Sequence, residues 1–331
     1  MASVASPGRA SSLSISMLTG GTRNPQQTNL NAENVPLEEK IPNAQSGQDY
    51  DMTGSPTVKR RRLSQELRRL RLLAGFNVTE AAKLLEWDPA KVTRMERGQW
   101  KLPSIHDIRL LLDLYGVTED DRREVLVTLA REARQRGWWE KYQDVFRSSL
   151  PDFEAGASAI RTWEIVLIPG LLQTEQYAKA VWQAGQVLDQ ELIERHVTAR
   201  LTRQQVLVRE NPPSFLALID EAALRKRIGG AEVMRGQIHK LIEMAARPNI
   251  TIQIVPDSAG AHPALEGAFV ILDFPEDPSL VYTVTTTDSL WLEKPSEYQR
   301  YSFIFSHVMT SALSPDESVR HMTALANLLE G

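Results

Sequence analysis

Apolar positions fall into two regimes along the chain, and the change of period divides it. Leu63, Leu67, Leu70 and Ala74 recur at the spacing of one helix face before Gly75 ends the run. Asn77 or Thr79 is placed to cap a second helix carrying Ala81, Ala82, Leu84 and Leu85. Past a short turn through Trp87, Asp88 caps a third helix with Pro89 at its first position, and Gly98 follows its last residue, Arg97. Ser104 opens a fourth, with Ile108, Leu111, Leu112 and Tyr115 inward, and Thr118 a fifth, lined by Val125, Leu126 and Leu129. Residues 137–212 also read as mostly helical, with a break at Pro169-Gly170 and helices expected over 174–184 and 189–209. After Pro212-Pro213 the period shortens to two. Segments 214–219, 250–255, 268–274, 281–286 and 290–293 alternate and are rich in β-branched residues, as strands are. Helices over 231–246, 296–311 and 315–329 complete the pattern. The fold class is therefore mainly α, with an α+β C-terminal domain. A five-helix domain over 58–136 precedes a domain over 137–331, in which a helical segment leads into a mixed sheet expected to pair antiparallel.

Residues 1–57 are rich in Ser, Gly, Asn, Gln and Pro and hold too few apolar residues to offset the entropy of ordering, so a disordered extension is expected there. Met52 stands directly before the basic run and is, beside Met1, a candidate start of translation. The short, Ser-rich stretch from Leu13 to Leu18 is not read as a signal peptide.

Composition sharpens this division. The net charge of −4 conceals a basic segment: residues 58–103 hold 12 Lys/Arg against 5 Asp/Glu. A basic module inside an acidic chain points to nucleic acid. Cysteine is absent, and no apolar run approaches the roughly 18 residues of a membrane span. A cytoplasmic protein with no membrane contact is expected.

Two short helices joined by a tight turn, with a third packed ahead of them, form a helix-turn-helix, whose second helix enters a major groove about 12 Å wide. Here that helix is 89–97. Val92 and Met95 face inward, leaving Ala90, Lys91, Thr93, Arg94 and Arg97 on or beside the outer face. Ala90 permits close approach or contact with a thymine methyl. Arg94 can grip a guanine bidentately, worth roughly 1–3 kcal/mol of discrimination. Lys91, Arg97 and Lys101 suit phosphates, as does the outer-face Thr93. The run Lys59 to Arg62 suits the DNA backbone by charge.

Other features carry plainer readings. Trp138 and Trp139 suit packing between domains. Asp257, Ser258 and His262 have the residue types of a triad but no nucleophile elbow around the serine. Asp220 and Glu221 suit a helix cap. Arg200 and Arg203 suit internal ion pairs or, alternatively, an acidic ligand. With no phosphate loop, zinc spacing or dinucleotide fingerprint, no enzyme activity, cofactor or metal is expected.

The segment Val92-Thr-Arg-Met-Glu-Arg-Gly98, followed by Pro103, closely resembles the Cro/lambda-repressor (XRE-type) helix-turn-helix regulators. Leu114-Tyr-Gly-Val-Thr118, Arg136-Gly-Trp-Trp139, the run from Ile168 to Ala178, Arg200-Leu-Thr-Arg-Gln204, Asp220-Glu-Ala-Ala-Leu224, Gly260-Ala-His-Pro263 and Val281-Tyr282 extend the resemblance. They look like the actinobacterial members that add a C-terminal domain of unknown function. The resemblance implies a lambda-repressor-like N-terminal domain and a cytoplasmic, nucleoid-associated transcriptional regulator. It implies base-facing positions at Asp88, Pro89, Ala90 and Arg94, and phosphate contacts at Asn77, Lys91 and Arg97. Pro89 and Ala90 replace the polar residues often found there, which moves readout onto Arg94. The resemblance also implies a structural ion pair between Arg71 and Glu96. Expected partners are double-stranded DNA, a second copy of the chain on a pseudo-palindromic site, and a small companion protein encoded nearby. The C-terminal domain would then dimerise, sense a signal or bind that partner. An antitoxin-like module that autoregulates its operon is the alternative.

Overall fold

The computed structural model describes residues 55–329 apart from 101, 136–137, 147, 186–188 and 286–287. The expected disordered extension and the Met52 start lie, but for residues 55–57, outside the described residues. Those three already belong to the first helix: the Ser55 hydroxyl accepts the Val58 N–H, and the helix begins at Pro56.

The first core is built by α1 (Pro56–Leu73), α2 (Val78–Leu84), α3 (Pro89–Glu96), α4 (Ile105–Leu114) and α5 (Asp120–Glu132). Leu63, Leu67 and Leu70 of α1 meet Ala81, Met95, Ile108, Leu111, Leu112 and Leu126 there. Asn77 and Glu80 form a reciprocal capping box at α2, and Ser104 caps α4. Helix α5 starts two residues later than expected, at Asp120 after Glu119, which makes no side-chain cap.

The second core surrounds one six-stranded sheet. Its elements are α6 (Leu150–Gly156), β1 (Ala159–Glu164), α7 (Glu175–Ala184), α8 (Gln190–Gln204), β2 (Ser214–Asp220), α9 (Glu221–Arg225), α10 (Ala231–Ala245) and β3 (Ile250–Val255). Strands β4 (Phe269–Asp273), β5 (Leu280–Val284) and β6 (Ser289–Leu292) and helices α11 (Pro295–Ser311) and α12 (Pro315–Asn327) follow. The strand order is β3-β2-β1-β4-β5-β6. Helices α10 and α12 cover one face, packing Met234, Ile238 and Met322 on Ile160, Phe215 and Ile252. Helix α11 covers the other, packing Phe305 and Val308 on Trp163, Phe269 and Val281.

Two expectations need correction here. The mixed sheet is antiparallel at three of its five pairings and parallel at two. Strands β1, β2 and β3 run parallel, because α7–α8 and α9–α10 supply the long crossovers that parallel neighbours require; β4, β5 and β6 add antiparallel. The helical reading of 137–212 also fails at β1. That central strand buries Ile160 in one core and Trp163 in the other, with Thr162 buried too, so its apolar residues do not simply alternate with exposed ones.

Helix α1 joins the two cores. Val58 packs among Leu150 and Phe153 of the second core, and the Thr57 N–H donates to Asp152 Oδ2 at 2.9 Å. Gly156 permits this approach: a Cβ there would lie 2.9 Å from the Val58 side chain. The run Lys59 to Arg62, expected at the DNA backbone, is engaged inside the protein instead. Lys59 pairs with Glu132 at 3.1 Å, Arg61 reaches Glu293 and the Pro278 carbonyl, and Arg62 lies 3.6 Å from Glu276. Lys59 and Arg61 are each only 9% exposed.

A polar cluster lies under α8. Arg203 grips Glu154 bidentately at 2.5 and 2.6 Å, and Arg200 donates to Gln173 while lying over the Trp182 ring. Arginines 200 and 203 thus serve internal contacts. Glu164, at the end of β1, has among the described residues one long hydrogen bond, 3.5 Å from the Thr162 hydroxyl. Burial pushes its pKa up to about 7, against the pull of Arg203 and Arg200. Its folded pKa therefore lies above the ordinary 4.5, and the stabilisation from holding its proton is present below that value and lost as pH rises through 7. Glu164→Gln is expected to match the wild type in urea unfolding at pH 4 and to be the more stable of the two at pH 8. Superimposable pH profiles for the two proteins would refute this assignment.

Candidate nucleic-acid interface

Helix α3 is held from below. Val92 and Met95 are buried, and Arg71 of α1 clasps Glu96 through Nε at 2.6 Å and Nη2 at 2.8 Å. Arg71 also donates to the Phe76 carbonyl at 2.7 Å, and both side chains of the pair are 7% exposed. The hydrogen bond to Glu96 raises the Arg71 pKa against the cost of burial. Beyond α3, Gly98 takes φ 67°, and the Gln99 N–H returns to the Arg94 carbonyl at 2.9 Å.

The turn between α2 and α3 is tight and strained. The Trp87 N–H closes onto the Ala82 carbonyl at 2.8 Å, which forces Glu86 to φ 56°. A left-handed backbone costs an L-residue about 1–2 kcal/mol, and glycine would adopt it freely.

The outer face differs from residue to residue. Asp88, Pro89, Ala90, Arg94 and Arg97 are exposed, at and along the leading end of α3. Among the described residues no acidic side chain pairs with Arg94 or Arg97. Asp88 caps α3 by accepting the Ala90 N–H at 2.6 Å, leaving its other carboxylate oxygen outward. Asn77 is exposed, with Oδ1 taken by the Glu80 N–H at 2.9 Å.

Two residues expected at phosphates are engaged elsewhere. Lys91 lies 2.9 Å from Asp107 and 3.6 Å above the Trp87 ring, fastening α3 to α4 and to the turn. The Thr93 hydroxyl donates its proton back to the Pro89 carbonyl at 3.0 Å. Lys101 lies outside the described residues. Conversely, Arg68 of α1 and Lys83 of α2 are exposed cations that the motif did not single out. Only the helical phase of each, opposite the buried leucines and alanines, could have marked them.

The remaining candidates in the second domain have structural roles. The His262 ring accepts the Ala264 N–H and meets Trp163 edge-on, while Asp257 pairs with Arg225. Asp220 caps α9, and Glu221 is buried between Arg225, His321 and the Asp257 N–H. Trp139 is half-buried in a short 3-10 turn; the Trp138 side chain lies outside the described residues.

Helices locked in one core around an exposed α3 of this kind make up a helix-turn-helix domain, the reading unit of DNA-binding transcription regulators. The profile of a helix-turn-helix domain matches residues 62–125. The chain belongs to the family defined by the domain of unknown function DUF5753, which matches residues 147–324. No curated protein and no solved structure matches it. Among the described residues no helix is long and apolar enough to cross a membrane.

Two substitutions test this geometry. Arg71→Ala strands the buried Glu96 carboxylate and is expected to destabilise the first domain by about 3–5 kcal/mol in denaturant unfolding. Glu86→Gly is expected to raise the thermal midpoint of that domain, since the relieved strain of about 1–2 kcal/mol exceeds the added chain entropy of about 0.5–1 kcal/mol. An unchanged or lower midpoint would mean that the turn stores no strain.

Proposed function

We propose that this protein is a sequence-specific regulator of transcription, of the XRE type found in actinobacteria. In this reading it acts in the cytoplasm on nucleoid DNA, and by binding rather than by catalysis. One observation carries the reading: α3 is fixed rigidly on its inner side while Arg94 and Arg97 stand exposed on its outer side, with no acidic partner among the described residues. A guanidinium held on a rigid helix loses little freedom on gripping a guanine edge. Arg94 is the reader in this proposal. Asp88 accepts from a cytosine amino group, and Pro89 and Ala90 allow the helix to approach closely. Asn77, at the start of α2, and Arg97 hold phosphates. Lys91 and Thr93 buttress α3, although their pairing leaves Lys91 able to exchange Asp107 for a phosphate.

Such domains read paired half-sites about 34–36 Å apart, so the protein is proposed to act as a homodimer, with the DUF5753 domain as the unit of assembly.

Arg94→Ala is expected to reduce discrimination between operator and random duplex by about 5- to 150-fold, the equivalent of about 1–3 kcal/mol, with the far-ultraviolet spectrum unchanged. Four exposed cations, Arg68, Lys83, Arg94 and Arg97, would give a slope of roughly −3.6 for log K against log salt per module. Fluorescence anisotropy on labelled duplexes measures both quantities. A flat salt response, or full discrimination by Arg94→Ala, would overturn the proposal.

A further inference from the structure

At the β3 edge of the sheet the outer groups of Ile254 are taken: its N–H donates to the Ser318 hydroxyl at 2.9 Å, and its carbonyl accepts from the Leu313 N–H at 2.9 Å. At β6, among the described residues, one hydrogen bond engages the outer side, from the Ser289 N–H to the neighbouring Asp288 carboxylate. The phase of the ladder shows which groups remain. The Thr285 N–H donates to the Asp288 carbonyl at 2.8 Å, so the alternation turns the backbone of Leu290 and Leu292 toward β5 and that of Ser289 and Trp291 outward.

We propose that two copies of this chain pair along β6, antiparallel about a two-fold axis, with Leu290 of one beside the partner's Leu290. This rests on the dimeric reading above and assigns its surface. The strand Ser-Leu-Trp-Leu has none of the lysines, prolines or bulges by which free edges resist pairing. Leu290 is 49% exposed. Beside it on the same sheet face, Thr283 and Phe269 open into a groove of about 690 Å³ walled by Tyr301, Phe303 and Ile304, and Phe303 is 65% exposed. A four-residue edge makes few hydrogen bonds, and these apolar walls supply the further area a stable contact requires. In this antiparallel register Asp288 falls opposite the partner's Leu292 and diagonal to the partner's Lys294, within reach of a long side chain. Arg61 of α1 holds Glu293, the residue after β6, which ties the helix-turn-helix domain to the pairing edge.

The chain has no cysteine, so Leu290→Cys introduces a single thiol. Facing residues in a non-hydrogen-bonded antiparallel pair lie about 4.5 Å apart at Cα, within disulfide reach. Mild oxidation of the full chain is expected to give a reductant-sensitive dimer, while Leu72→Cys, more exposed on α1, stays monomeric on the same gel. Leu290→Lys is expected to sediment as a monomer where the wild type sediments as a dimer, with an unchanged circular dichroism spectrum and retained binding to a half-site duplex. A wild-type protein that is monomeric throughout overturns both the dimer and its surface. A wild-type dimer that survives Leu290→Lys, or Leu290→Cys that cross-links no better than Leu72→Cys, overturns the β6 pairing alone.

Discussion

One helix belongs to two cores. The first turns of α1 bury Val58 against Leu150 and Phe153, while Leu63, Leu67 and Leu70 further along it organise the helix-turn-helix domain. Eighteen residues at 1.5 Å each make a rod about 27 Å long, enough for its ends to serve different cores. A hinge in this stretch would break a continuous ladder of backbone hydrogen bonds and expose Val58. Whatever the DUF5753 domain binds or pairs with is therefore coupled mechanically to the placement of α3.

This constraint changes the meaning of the basic segment. Its surplus of positive charge looks at first like an electrostatic footprint. Part of it is taken up by acids elsewhere in the chain: Lys59, Arg61 and Arg62 hold α1 to other elements, and Lys91 fastens α3 to α4. Buried pairs such as Arg71–Glu96 resist disruption because losing one partner strands the other charge in a poor solvent. Among the described residues Arg94 and Arg97 of the reading helix remain exposed with no acidic partner, suited to selective contact more than to broad attraction.

The second domain shows the same economy in polar groups. Glu154, Arg203, Arg200 and Gln173 satisfy one another beneath α8, and Glu164 is left with a weak partner and a raised pKa. The sheet itself is covered on both faces, and at the β3 edge Ser318 and Leu313 take up the outer groups of Ile254.

Local chemistry along the chain was enough to place much of this fold. Leucine spacing, the caps at Asn77, Asp88 and Ser104, and the breaks at Gly75 and Gly98 mark the helix-turn-helix, because each of these acts within one or two turns. Alternation likewise marks β2 through β6. Tertiary structure alone decided the rest. Strand β1 is recognisable only once helices cover both its faces, and parallel pairing depends on where the crossovers pass. The partners of Lys59, Arg61 and Lys91 lie between 16 and 232 residues away in the chain. A charge is visible in a sequence, but its neutralisation depends on contacts through space, which the order of residues does not display.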